Sequence, residues 1–105
     1  MNGQEVQDVR LTKATILVLE KLLIRPEGEP VWALEICRSA DLDPGTVYPI
    51  LARLHERNWV SSEDEDGEHP GRPPRRLYQF TKAGRRKAVS ALLDRQSRLR
   101  DIGVR

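Results

Sequence analysis

The chain has 105 residues, 38% of them hydrophobic, and 18 basic against 16 acidic side chains give a formal net charge of +2. That length allows one modest core and excludes two, which leaves oligomerisation as the route to further burial. A near-neutral balance does not announce nucleic-acid binding, so any electrostatic surface must come from how the charges are distributed.

In chain order, residues 1–10 are polar and read as a flexible N-terminus. Thr12 can cap a first helix whose apolar positions, Ile16, Leu17, Leu19, Leu22 and Leu23, form a stripe broad enough to serve two surfaces. Arg25-Pro-Glu-Gly-Glu-Pro30 is a turn, with Pro30 placed to open a second helix at its first position. That helix holds Trp32, Ile36 and Cys37 and ends near Ala40. Its apolar residues read as core, Cys37 as a small core hydrophobe.

Asp43-Pro44 is a strong helix start, an acceptor side chain followed by proline at the first helical position. Val47, Ile50, Leu51 and Leu54 recur at helical spacing and should face the core. Gly45, Thr46, Tyr48, Pro49, Ala52 and Arg53 are left outside. Solvated helix faces usually carry Glu and Lys, whereas this one presents small, aromatic and cationic groups toward its N-terminal half, where the dipole and free N–H groups favour phosphate. Pro49 removes one backbone bond to residue 45, where glycine relieves the crowding. Asn58 follows as a left-handed terminator.

Trp59–Asp64 and Arg75–Phe80 alternate apolar with polar residues around a Gly- and Pro-rich loop, the pattern of a β-hairpin. Arg72, between Gly71 and Pro73, stands at a stiff, exposed tip. Thr81 can cap a last helix over about residues 82–101, roughly 30 Å long, with Val89, Leu92, Gln96 and Leu99 at near-heptad spacing. This seam can pack on its own domain or on a partner helix, and the helix length favours the partner. Trp32 and Trp59 sit at element ends beside apolar stripes and read as packing residues.

No nucleophile, base and orienter set stands out, and the lone Cys37 with isolated His55 and His69 has no metal-ligand spacing. The expectation is therefore no enzyme, no catalytic residue, no metal and no cofactor. One cysteine fits a reducing cytoplasm, and no stretch approaches the roughly 18 apolar residues of a membrane span.

Three segments taken together, Gly45–Leu54, Gly71–Tyr78 and Thr81–Gly84, resemble the PadR-like winged-helix transcriptional regulators over about residues 11–84. The resemblance implies a mainly α fold with a small β-hairpin, a winged helix-turn-helix over 11–81 and a C-terminal dimerisation helix over 82–105. It implies a cytoplasmic homodimer, usually a repressor, on an inverted-repeat promoter operator in double-stranded DNA. Thr46, Tyr48, Pro49 and Arg53 are then the groove-facing candidates, and Arg72, Arg75 and Arg76 the wing candidates. Val89, Leu92, Gln96 and Leu99 are the dimerisation candidates. Part of the family answers to a small-molecule inducer at the dimer interface. Here Lys82–Arg105 has no aromatic residue, so a sandwich for a flat ligand would have to borrow Trp32 or another first-half residue.

Three features depart from the family pattern. Ala33-Leu34 precede Glu35 where a Gly-Tyr pair is common, Asn58 stands where the family usually places Gly, and Glu63, Asp64, Glu65, Asp66 and Glu68 load the hairpin with acid. These carboxylates repel phosphate unless they point away or pair with Arg75 and Arg76. They also leave open a winged-helix protein-interaction module that uses the acidic hairpin as its contact surface.

Overall fold

Thr12, with extended backbone, accepts the Thr15 N–H at 3.1 Å and starts α1, Lys13–Ile24. The computed structural model describes residues 9–103, with side chains described through Arg100. The order continues through β1 (Val31–Trp32), α2 (Ala33–Ala40), α3 (Pro44–Glu56), β2 (Val60–Asp64), β3 (Arg76–Phe80) and α4 (Lys82–Gly103). The strands form one antiparallel sheet in the order β1-β3-β2.

The three short helices pack around Val18 and Leu19 of α1, Ile36 of α2, and Val47, Leu51 and Leu54 of α3, each at most 1% exposed. Burying one such side chain contributes about 1.5–3 kcal/mol, so this cluster carries much of the fold. Trp59 and Val60 close it from the sheet side and Ala88 from α4. Among the described residues no helix is long and apolar enough to cross a membrane.

Two expectations change. Pro30 does not open the second helix, because Val31 and Trp32 pair with Tyr78 and Leu77 as a third strand and α2 begins only at Ala33. The free edge of β3 offers ladder partners that two extended residues satisfy better than a helical turn would. The flexible stretch assigned to 1–10 falls mostly on residues 1–8, which lie outside the described residues. Val9 itself is 5% exposed and belongs to the core cluster.

The first turns of α4 pack as part of the same body. The Thr81 hydroxyl accepts the Gly84 N–H at 2.8 Å as the helix cap and donates to the Asn58 carbonyl at 2.8 Å. Arg85 reaches the Arg25 carbonyl at the end of α1 at 3.0 Å. Leu92 is half-buried against the core, while the rest of α4 runs outward. The architecture is that of a winged helix carrying a long C-terminal helix.

Candidate nucleic-acid interface

Local chemistry alone builds α3. The Asp43 carboxylate accepts the Thr46 N–H at 2.9 Å, and Pro44 takes the first helical position, where its missing N–H costs nothing. At the other end the Trp59 N–H reaches the Leu54 carbonyl at 2.9 Å and the Asn58 N–H reaches the His55 carbonyl at 3.0 Å. With Asn58 at φ 63°, this is the Schellman termination that asparagine tolerates. Both ends are thus fixed, and so is the rotation of the helix.

That rotation puts Val47, Ile50, Leu51 and Leu54 inside. Tyr48 is 43% exposed, and Pro49, Ala52 and Arg53 are exposed beside it, with Thr46 half-buried at the entry turn. Thr46, Pro49 and Arg53 therefore share one outward strip at i, i+3 and i+7, with Tyr48 on its flank. Among the described residues no ion pair involves Arg53, so its guanidinium is available to an incoming acceptor.

The wing is organised differently. β2 and β3 pair from Val60 with Phe80 to Asp64 with Arg76, and the loop between them turns through Gly71 at φ 84°. Arg76 Nη1 lies 3.1 Å from Asp64 Oδ1, directly across the ladder. One step beyond it, the Glu65 N–H donates to the Arg75 carbonyl at 2.8 Å, while Glu65 Oε1 accepts the Arg75 N–H at 3.2 Å and Arg72 Nη1 at 3.1 Å. The Arg72 guanidinium holds the Glu65 carboxyl below the ordinary carboxylate range, against an opposing push from desolvation and with further help from the Arg75 backbone N–H. Acid and base on this hairpin are arranged as partners.

Arg75 stands apart from the other two wing arginines. Its guanidinium lies over the Trp32 ring at 3.9 Å, with Arg38 against the same ring at 5.6 Å. Glu65 Oε2 is 3.8 Å away, and the buried Arg75 Nε has no hydrogen-bond partner among the described residues. Arg75 thereby ties the base of the wing to the junction of β1 and α2; its side chain is 40% exposed, as open as that of Arg72 at 39%, and Arg76 is more open at 56%. Sequence reasoning missed this tie, since a stack between residues so distant in the chain leaves no local signal. It had posed the acid–arginine pairing as a question, and the hairpin register contains the answer.

Cys37 is 4% exposed, and burial pushes its thiol above the ordinary range, with a small further push from Asp43. A thiol so placed is a poor nucleophile and packs as a hydrophobe.

No curated protein sequence matches the chain significantly. Among solved structures, a PadR family transcriptional regulator from Eggerthella lenta is 26% identical with a TM-score of 0.69, covering 85% of this chain and 77% of its own. A PadR family transcription regulator from Clostridium difficile is 23% identical with a TM-score of 0.61, covering 87% and 91% respectively. The PcaV transcriptional regulator from Streptomyces coelicolor is 22% identical with a TM-score of 0.68, covering 89% of this chain and 62% of its own. The last two likenesses bear on the fold alone. A family model, the transcriptional regulator PadR-like family, matches residues 34–90, from the second turn-and-helix through the wing into α4. With more than half of its length under that match, and with the helix face and wing just described, the chain belongs to the PadR-like family of transcriptional regulators.

Proposed function

We propose that this DNA-binding regulator is a repressor that occupies an inverted-repeat operator as a homodimer. The observation that carries the reading is the outward face of α3, where Tyr48, Pro49, Ala52 and Arg53 are exposed together and the one acidic residue of the helix, Glu56, stands at its C-terminal end. Arg53 reads base edges, with guanine O6 and N7 as its natural acceptors, while Thr46 and Tyr48 touch phosphate or a thymine methyl and Pro49 shapes the contact. Arg72 and Arg76 meet the flanking backbone, and Arg75 sets the angle at which the wing presents them. Two-fold symmetry puts the half-sites about 34 Å apart, one helical turn.

The test is a gel shift on the protein's own upstream region against a scrambled duplex at about 0.15 M salt, because affinity without stated salt means little. Retardation of the upstream duplex well beyond the scrambled one, in steps of a dimer, is the expected result. Equal retardation of the two sinks the operator reading. An inducer at the dimer interface is part of the same proposal; the PcaV regulator, similar in fold alone, has been solved in complex with its natural ligand. Docking of a protein on the acidic hairpin is the weaker reading, because Asp64 and Glu65 are already spent on arginines within the wing.

A further inference from the structure

The wing arginines have partners before any DNA arrives. Arg76 is held by Asp64, and Arg72 donates to Glu65 Oε1 and to the Pro73 carbonyl, each at 3.1 Å, with His69 Nδ1 3.3 Å from its second terminal nitrogen. Glu65 is the hub, since the His69 ring also lies 3.6 Å from the same Oε1. Its depressed carboxyl titration leaves it ionised at neutral pH, and both arginines remain exposed enough for a phosphate to reach them.

A carboxylate and a phosphate oxygen compete for the same guanidinium donors. A duplex held loosely by general electrostatics offers its phosphates at varying positions and cannot match a partner fixed by the hairpin backbone. A duplex docked on α3 offers one phosphate in register, at high effective concentration, and can displace the carboxylate. Resting on the DNA-binding reading above, we propose that Glu65, assisted by Asp64, is a specificity-determining residue. It withholds Arg72 and Arg76 from random DNA and releases them once α3 has found its operator.

The variant that tests this is Glu65→Gln, which removes the charge but keeps an amide oxygen to accept the Arg75 N–H. Exposed ion pairs are weak, so affinity for a scrambled duplex should rise by up to about fivefold per protomer. The dependence of log K on log salt should steepen by about 0.9 for each phosphate gained. Operator affinity should rise less, so the ratio of operator to scrambled binding falls. Adding Arg72→Ala to Glu65→Gln should abolish the gain.

If the wild type binds its operator and Glu65→Gln leaves scrambled affinity and salt slope unchanged, the inference is overturned while the function stands. An equal rise on both duplexes, with their ratio preserved, also overturns it, because Glu65 then acts only as diffuse negative charge. Failure of wild type and variant alike to retard any duplex overturns the function and the inference together. Should Glu65→Gln fail to fold by circular dichroism, Asp64→Asn, which frees Arg76 as Glu65→Gln frees Arg72, gives the same readings with a gain of similar size expected.

Discussion

Among the arginines proposed to meet DNA, what separates one from another is the company each keeps. Arg53 emerges from a rigid helix with no ion pair among the described residues, whereas Arg72 and Arg76 are balanced by Glu65 and Asp64 and Arg75 is stacked on Trp32. A cation without a competitor gains most from a directed acceptor, and a bidentate arginine–guanine contact gives about 1–3 kcal/mol of discrimination. Arg53→Ala should therefore cut operator affinity by that amount per contacted guanine and leave scrambled affinity nearly intact in a competition gel shift. Equal losses on the two duplexes would reassign Arg53 to the phosphate backbone.

At the scale of elements, legibility follows the range of the forces involved. The determinants of α3 are all within a few residues of it, in Asp43, Pro44, the apolar spacing and Asn58, so its limits and its outward face could be read from the chain. The hairpin was equally local. β1 was not, because two residues carry no period and become a strand only when β3 lies beside them. The stack of Arg75 on Trp32 likewise depends on that third strand. Gly84 falls between these cases: its place in Thr81-Lys82-Ala83-Gly84 was visible, but the reason for glycine was not. A Cβ built on Gly84 would meet the Trp59 carbonyl oxygen at 1.8 Å, in a corner where the Thr81 N–H donates to that same carbonyl at 2.9 Å. The neighbour is backbone and cannot rotate away, so α4 would have to lift from the start of β2. Gly84→Ala should cost about 3 kcal/mol or more and lower Tm by more than about 10 °C in a thermal melt. Ser90→Ala, on the exposed side of the same helix, should stay within about 0.5 kcal/mol. A Gly84→Ala protein as stable as wild type would mean that the corner is looser than this geometry.

At the scale of the whole molecule, the 22-residue α4, about 33 Å long at 1.5 Å per residue, packs on the body through its first half and extends beyond it. Along α4, Val89 is 40% exposed, Leu93 59% and Leu99 49%, with Gln96 exposed between them. Leu92 turns partly toward its own core, so the proposed dimer seam is better drawn through Val89, Leu93, Gln96 and Leu99, with Leu92 at its margin. Apolar side chains three and four residues apart on a projecting helix are left uncovered by the described residues, and a second copy of the same helix is the symmetric way to cover them. Dimerisation would also set the distance between the two α3 helices, and so couple this seam to operator spacing. Leu93→Glu combined with Leu99→Glu should then give a folded monomer by light scattering, with a circular dichroism spectrum close to wild type except for fraying of α4. Operator affinity should fall much further than scrambled affinity, because a monomer keeps its phosphate contacts but pays separately for each half-site. A double variant that stays dimeric would move the interface to the exposed end of α1 around Ile24, which is 70% exposed.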